Sequence, residues 1–569
     1  MGDFFLATYK KSKFPPEACD GLQVNFCRNV DCPNFGIPRQ ADQNSPVPIN
    51  RDGREVAYTM AGDKERPQMV CKHCGSKFEL KSNISIIRDR DRINRFYNHV
   101  DYISCPNEEC ESHFRSIDSH QDSYQKFGYT TKKVPRLKCK NCGKTFTNSR
   151  RDSNHTLSHH NFTILKLLMN HSPINRICEI VSVAPKTIYD KINYFEKQFL
   201  SFVSRREQQI PSMKRLYIGT DQQYYTINWE KRTDKRNIII KAIATTDNES
   251  GYCFGIHTNL DERLSQDELE VLSLSVKDNL KTPPYRHYAN YWTEEDYLKE
   301  AKKAWRKEYG DIEFEVEGGV FSNSRLPYRG VQTREEYNAY GHFLVLKKLF
   351  KNIEKIRFTL DNDAALRPAC LAVFADRILE RTCDVFTISV NNNFTRDDRE
   401  KINSKSRRLI KSVREKFGIK SDHEAKAFLL SKIISVVHER NCLAARKIVR
   451  FPFAHNGELK KYVVFETNLN DYDLNHLANL YLTASIDRTN NFFQQARRRI
   501  RFLERPMNTV GERIWTGYSP YNPQIVQKLI NILRVYHNYC LKGDDKQTPA
   551  VRLGLAKGPV ALEKILYCV

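Results

Sequence analysis

The sequence lacks any run of about 18 apolar residues, which is the length that a helix needs to cross a bilayer. Its first residues, MGDFFLATYKKSKF, contain no apolar stretch of the kind found in a secretion signal. We therefore expect no membrane span, no secretory leader and a cytoplasmic location. Acidic residues are also fewer than basic ones. Asp and Glu number 68 against 92 Lys and Arg, and the resulting charge of +24 favours a polyanionic partner.

Four cysteine pairs near the amino terminus fall into two similar sets. The first set is Cys27, Cys32, Cys71 and Cys74, and the second is Cys105, Cys110, Cys139 and Cys142. The later pairs share similar flanks, CKHCGSKF and CKNCGKTF. Four thiolates on two short knuckles are what a closed tetrahedral zinc site needs, so we predict two zinc ribbons with one structural Zn²⁺ each. The alternative is a disulfide framework, which is typical of short secreted chains rather than of a chain of this length.

A helix-turn-helix pattern follows the cysteines. Helical segments at 162–171 and 174–183 precede APKTIYDKINYFEKQF, in which Pro185 stands at a first-turn position. The exposed front of this last helix is predicted to carry Lys186, Thr187, Tyr189 and Lys191. The lysines would neutralise phosphates, and Thr187 would contact a phosphate or a base. The alternative is a plain three-helix bundle that connects two domains.

Two aspartates follow short apolar segments that read as strands. Asp221 follows LYIGT, and Asp361 follows KIRFTL. Acids that directly end neighbouring hydrophobic strands project into a cleft, where they can bind a pair of Mg²⁺ ions. Asp363 is the rival to Asp361, which we prefer because it directly ends its segment. The alternative for each aspartate alone is an ordinary turn residue at a strand end.

An amphipathic helix or helix pair at 477–505 offers a further oxygen ligand. Its polar face carries Asp487, Asn490, Asn491 and Gln494 at helical spacing, while Ile486, Phe493, Ile500 and Leu503 are predicted to face the core. The arginines that follow, Arg497, Arg498 and Arg499, are predicted to bind phosphates beside the metal ions.

The length and the changing periodicity indicate a multidomain α+β protein. Residues 1–100 and 101–150 hold the tandem zinc ribbons, 151–210 the helix-turn-helix, and 211–569 a region of strands and helices. Three sequential strands from 216 to about 255 predict an antiparallel meander. The stretches 262–350 and 395–475 are mostly helical and charged, which favours two helical insertions.

Taken together, CKNCGKTF, APKTIY, LYIGTD, TLDND, NNFFQQARRRI and the tail RVYHNYCLKGDDKQTPAVRLGL resemble bacterial insertion-sequence transposases of the DDE type. The resemblance covers nearly the whole chain. It implies a ribonuclease-H-like α/β catalytic core with three acids and two Mg²⁺ or Mn²⁺ ions. Asp221 and Asp361 match the first two acids. The third would fall near Asn490, which is not an acid, so Asp487 is the substitute that we prefer and Glu504 is the other candidate.

The leading hypothesis is therefore a DNA transposase that binds the ends of its element and performs metal-dependent cleavage and strand transfer. Its partners would be double-stranded DNA and further copies of itself on that DNA, in the nucleoid of a bacterial cytoplasm. The alternative is a non-catalytic DNA-binding regulator derived from a transposase, which Asn490 favours. An RNA-binding zinc protein lacks support, because no aromatic-rich RNA-binding signature is present.

Overall fold

The computed structural model describes residues 14–63, 65–97, 104–107, 109–114, 117, 121–131, 135–147, 157–309, 324–391, 394–439, 447–468, 472–504, 507–508, 514–515 and 518–567. The first 13 residues, on which the prediction of no leader rests, lie outside this part. The chain divides into a large unit, Met1–Asn94 with Gln209–Pro559, and a small unit, Arg95–Gln208 with Val560–Val569. No helix in the described ranges is both long and apolar enough to cross a membrane.

The strands are β1 (Tyr58–Gly62), β2 (Pro67–Cys71), β3 (Lys77–Glu79), β4 (Tyr124–Tyr129), β5 (Pro135–Cys139), β6 (Thr145–Thr147), β7 (Met213–Ile227), β8 (Ile238–Asp247), β9 (Cys253–Thr258), β10 (Leu260–Asp261), β11 (Val331–Gln332), β12 (Ile353–Asp361), β13 (Cys383–Asn391), β14 (Ile448–Arg450), β15 (Lys460–Phe465), β16 (Met507–Asn508) and β17 (Ile514–Trp515). The helices are α1 (Asn83–Asn94), α2 (Asn161–Leu168), α3 (Ile174–Val181), α4 (Pro185–Glu207), α5 (Gln266–Ser275), α6 (Glu294–Tyr309), α7 (Glu335–Leu349), α8 (Leu366–Val373), α9 (Ala375–Leu379), α10 (Arg396–Phe417), α11 (Asp422–Glu439), α12 (Leu474–Thr483), α13 (Asp487–Arg499), α14 (Gln524–Tyr539), α15 (Pro549–Arg552) and α16 (Leu562–Leu566).

A seven-stranded mixed sheet organises the large unit, with the order β14-β15-β13-β12-β7-β8-β9. Strands β7, β8 and β9 form the antiparallel meander that the sequence predicts. Strands β12 and β13 then add on the other side of β7, parallel to it. The multidomain α+β class is thereby confirmed.

Helix α7 packs on one face of this sheet and corrects the first predicted insertion. His342 bonds Thr245 of β8 at 2.7 Å, and the ring of Phe343 lies 5.6 Å from that of Phe358 on β12. The insertion at 262–350 therefore ends before α7, which belongs to the core. The prediction was wrong here because acids in the first turn and lysines in the last turn enclose the buried middle of this helix.

Helix α14 covers the edge strand β9 with buried polar side chains. Asn538 bonds both the N–H and the carbonyl of Cys253, and Gln527 accepts the N–H of Thr258 at 2.7 Å. Arg534 donates to the carbonyl of Phe254 at 2.8 Å. An open sheet edge exposes unpaired backbone groups, so these contacts close the sheet on this side.

Candidate functional site

The cysteines form two clusters whose geometry fits zinc. The sulfur atoms are 3.5 Å apart for Cys27 and Cys74, 3.7 Å for Cys32 and Cys71, 3.3 Å for Cys105 and Cys142, and 3.8 Å for Cys110 and Cys139. A tetrahedron with Zn–S bonds of about 2.3 Å has edges of about 3.8 Å, whereas a disulfide bond is about 2.05 Å. In each cluster all four ligand atoms lie within 4.8 Å of one another. Each group of four cysteines could therefore hold a zinc ion, and the sulfur distances exclude a disulfide bond in these four pairs.

The surroundings of the first cluster favour a bound cation. Burial raises the pKa of the Cys27 thiol well above its ordinary value and that of Cys32 to about 12. Four clustered thiolates would repel one another without a positive charge, and Zn²⁺ supplies it. Gly75 adopts a φ of +72° directly after the second knuckle, as only glycine does at low cost.

Asp221 and Asp361 lie side by side on adjacent parallel strands. Thr220 of β7 pairs with Leu360 of β12, and each aspartate is the next residue of its strand. The sequence predicts that Asp221 ends its strand, and this prediction is wrong. Pairing with β8 keeps β7 extended as far as Ile227. Strand β12 ends at Asp361, so it does not continue alongside β7 beyond the two aspartates.

Burial and mutual repulsion disfavour two negative charges at this position. Burial first, and then the charge of Asp361, raise the pKa of Asp221 to about 7. Burial also raises the pKa of Asp361, with a contribution from Asp363. Hard divalent cations bind carboxylate oxygens and would relieve this repulsion, so the donor set fits Mg²⁺ or Mn²⁺.

Asp363 forms hydrogen bonds that stabilise the turn after β12. Its carboxylate accepts the backbone N–H of Ala365 at 2.7 Å, just before α8 begins, and the side-chain amide of Gln222 at 3.0 Å. These bonds hold the turn that follows β12. The preference for Asp361 over Asp363 remains a prediction, and this contact gives Asp363 a structural role.

Helix α13 lies on the face of the sheet that carries the two aspartates. The Thr489 hydroxyl donates to the carbonyl of Gly219 at 2.9 Å and also contacts the Thr246 hydroxyl at 2.8 Å. Gly219 stands two residues before Asp221 and therefore on the same face of β7. A Cβ atom at Gly219 would be 2.8 Å from the Thr489 hydroxyl, so glycine is required for this close approach. Sequence reasoning missed both residues, although a glycine two positions before a strand acid is a usable signal.

The side chains of α13 point in two different directions across the sheet. Phe492 and Gln495 contact His537 of α14, at 5.1 Å between rings and 3.2 Å between hydrogen-bonding atoms, so this side faces β9. At about 100° per residue, Asn490 lies on the side of α13 opposite Phe492 and Gln495. Asp487 lies about 160° from Thr489 and faces away from the sheet, where it accepts a hydrogen bond from the exposed Asn491 at 3.1 Å.

The other predicted residues of this region lie farther along the chain. Glu504 forms an ion pair with Arg501 at 2.5 Å, beyond the end of α13. Arg498 is exposed, and the guanidinium of Arg499 lies 5.8 Å from the ring centre of Tyr536. Arg497 is close enough to Tyr225 to lower the pKa of that hydroxyl, against the larger raising effect of burial.

A buried ion pair fixes the start of α13. Lys461 and Glu458 are 2.8 Å apart, and both side chains are almost fully buried. Glu458 accepts hydrogen bonds from the Ser485 hydroxyl at 2.8 Å and from the N–H of Ile486 at 3.4 Å. The predicted segment at 477–505 is therefore a helix pair whose break is held by Glu458.

The helix-turn-helix segment of the small unit forms α2, α3 and α4, with Pro185 in the first turn of α4. Lys186 is exposed, Thr187 is half-buried and Tyr189 is 38% exposed. Lys191 is only 2% exposed, and its ammonium group donates to the carbonyl of Leu157 at 3.2 Å. The prediction of an exposed Lys191 is therefore wrong, because Lys191 lies about one turn after the fully buried Ile188, on the side of α4 that faces the rest of the bundle.

Neither a protein-family model nor a curated protein sequence matches this chain.

Proposed function

We propose that the chain is a DNA transposase of the DDE type, with a ribonuclease-H-like core formed by β7, β8, β9, β12 and β13. The observation that carries the proposal is the pair Asp221 and Asp361, which are adjacent on parallel strands and whose pKa values are both raised, chiefly by burial. Three antiparallel strands followed by two parallel ones, with acids on the first and fourth, support the same core.

In this proposal the chain supplies oxygen ligands, phosphate contacts and alignment. Two Mg²⁺ or Mn²⁺ ions would activate the attacking oxygen and stabilise the leaving oxygen. Asp221 and Asp361 would hold the ions. The exposed Arg498 lies about 180° from Thr489 on α13, so it would contact DNA phosphates on the side of the helix away from the sheet. Hydrolysis of a phosphodiester and the later attack of the 3′-OH are both in-line displacements. Positioning and charge neutralisation therefore dominate catalysis.

The third metal-binding position is best assigned to Asn490. Asn490 lies about 100° from Thr489, on the side of α13 opposite the one that meets α14, whereas Asp487 bonds Asn491 and Glu504 pairs with Arg501. We expect Asn490→Asp to raise the affinity for Mg²⁺ at least tenfold, roughly 1.4 kcal/mol, because a carboxylate binds this hard cation better than an amide does.

Calorimetric titration of Mg²⁺ into Asn490→Asp, Asp487→Asn and Glu504→Gln checks this assignment. The latter two variants should behave like the wild type. If Asp487→Asn lost Mg²⁺ binding instead, Asp487 would be the third ligand. A large rise in cleavage for Asn490→Asp alone would identify the natural chain as a disabled transposase, in agreement with the regulator alternative.

The small unit is proposed to recognise the ends of the element through the first turn of α4. Replacing both Lys186 and Thr187 by Ala should weaken binding to specific ends by about 10- to 100-fold, since a base contact contributes about 1–3 kcal/mol. Affinity for unrelated DNA should change only a few-fold. Lys191→Ala is not a suitable control because Lys191 is buried, so Lys197→Ala, at an exposed position of the same helix, is preferred. Equal affinity of the double variant and the wild type for the ends would refute this role for α4.

The function is tested by incubating the full-length protein with a plasmid that carries the native ends of its element. Nicking and strand transfer that require Mg²⁺ or Mn²⁺, and that disappear in Asp361→Asn while DNA binding persists, are the expected results. Tight binding of the ends without cleavage in either metal would favour the regulator instead.

A further inference from the structure

The two ribbons of this chain are structural repeats with matching inner faces. Tyr58 and Tyr124 pack edge-on against Phe78 and Phe146, with ring centres 6.0 and 5.8 Å apart. Each tyrosine hydroxyl also accepts the backbone N–H of the first cysteine of its ribbon, at 2.9 and 3.1 Å. The zinc-facing sides of the two ribbons are therefore built in the same way.

The outer faces of the two ribbons have diverged. Counted from the matching tyrosines and cysteines, Ala61, Gln68 and Val70 of the first ribbon occupy the positions of Phe127, Arg136 and Lys138 of the second. Likewise, Lys77 and Glu79 on β3 correspond to Thr145 and Thr147 on β6. The first ribbon thus has a small, mixed-charge outer face, and the second has an aromatic and purely basic one.

We call Phe127, Arg136 and Lys138 the ribbon platform. Phe127 is 44% exposed, although it is a large aromatic residue. The guanidinium carbon of Arg136 lies 5.3 Å from the ring centre of Phe127, and the Lys138 ammonium lies 5.9 Å from it. Strands β4, β5 and β6 contain no acidic residue that would offset these two charges.

The first ribbon instead packs against the rest of the large unit. The guanidinium of Arg28 lies over the rings of both Phe78 and Tyr340, at 5.5 and 6.0 Å. Just after β3, Lys81 forms an ion pair with Glu336 of α7 at 3.2 Å. One copy of the repeat is thus engaged in the core, while the other displays aromatic rings and cations.

We propose that the ribbon platform binds an unpaired segment of DNA, with a base stacked on Phe127 and phosphates held by Arg136 and Lys138. An exposed ring next to cations is an element of a single-strand site, where stacking tolerates any base. A duplex hides the faces of its bases and offers this ring nothing to stack on. The choice of DNA rests on the proposed function, and the platform would hold a strand freed at the cut ends.

Fluorescence anisotropy with the full-length protein and a labelled oligothymidine of about 15 nucleotides tests this inference. Divalent cations are omitted, and salt is kept at about 200 mM to weaken contacts made by phosphates alone. Phe127→Ala should lower the affinity about tenfold, and Phe127→Tyr should restore it, because stacking contributes about 1–3 kcal/mol per base. The double variant Arg136→Gln with Lys138→Val carries the residues that the first ribbon has at these two positions. It should bind the oligonucleotide more weakly, and its affinity should depend less on salt.

Controls assign the effect to the ribbon platform. Gln68→Ala with Lys77→Ala, on the outer face of the first ribbon, should leave the affinity unchanged, and every variant should retain two zinc ions per chain. Photo-crosslinking with an oligonucleotide that contains iodouracil should label the peptide that holds Phe127.

Three results would overturn the inference. One is an unchanged affinity of Phe127→Ala for the single strand, and another is an equal loss for a hairpin duplex. Tighter binding of oligouridine than of oligothymidine would reject DNA as the partner. A protein that passes these tests but never cuts DNA would refute only the proposed function.

Discussion

Asp221→Asn is expected to abolish Mg²⁺-dependent cleavage and, without divalent cations, to make the protein more stable. Cleavage should fall at least about 100-fold, because the variant loses a charged oxygen ligand rather than a group that only orients one. Stability should rise because the native carboxylate is partly buried beside Asp361. A carboxylate that is needed for catalysis but lowers the stability of the metal-free protein is typical of a metal site.

The pH dependence of this stability has a definite sign. The pKa of Asp221 rises from 3.8 to about 7 in the folded state, which therefore binds the proton more tightly than the unfolded state does. Stability from this group is complete below about pH 4 and is lost as the pH rises to about 7. We expect Asp221→Asn to match the wild type near pH 4 and to exceed it above pH 7, by about 2–4 kcal/mol at most.

Thermal unfolding between pH 4 and 8, with and without Mg²⁺, measures both effects. Mg²⁺ at 100 times its Kd should stabilise the wild type by about 2.7 kcal/mol and Asp221→Asn much less. Asp363→Asn is the matched control, since Asp363 caps the turn before α8. A variant at Asp221 that still cuts DNA, or that is still stabilised fully by Mg²⁺, would remove the basis for the metal site.

Cys71→Ser and Cys139→Ser should each reduce the zinc content from two ions to one, but they should differ in their effect on stability. Zinc binding supplies the folding free energy of such small ribbons. In the first ribbon that free energy also supports the large unit. We therefore expect Cys71→Ser to lower the unfolding temperature of the large unit by roughly 5 °C or more.

The coupling passes through α1, which joins the first ribbon to the sheet. The fully buried Arg92 pairs with Asp89 and donates to Asn338 on α7 at 2.7 Å and to the carbonyl of Thr258 at 2.9 Å. A Cβ atom at Gly341 would lie 2.9 Å from the backbone of Asp89, so α1 and α7 are in close contact. The second ribbon belongs to the small unit, so Cys139→Ser should leave the unfolding of the large unit unchanged.

Zinc analysis and scanning calorimetry of the two variants check this asymmetry. Fewer than two zinc ions in the wild type would contradict the repeat of the ribbons. Equal destabilisation of the large unit by both variants would show that the first ribbon has no special role in its stability.

The sequence alone determined the features that depend on local chemistry. The eight cysteines could be assigned to two clusters because their spacings recur and because four thiolates have few other uses in a long chain. The antiparallel meander also followed from the sequence. So did the proximity of Asp221 to Asp361, since each aspartate directly follows a short apolar segment and the two segments pair in parallel. The core positions of Phe493 and Ile500 were read correctly from helical periodicity, and both are buried.

Only the tertiary structure decided which partner each face meets. Helical periodicity gives the angles between Asp487, Asn490 and Thr489, but it does not say which of these residues faces the sheet. The hydrogen bond from Thr489 to Gly219 shows that Thr489 does. Lys191 is buried because its neighbours in the bundle cover it, which a single helix cannot reveal. Pairing with β8 keeps β7 extended beyond Asp221. These outcomes depend on contacts between elements, whereas the zinc knuckles are specified within a few residues.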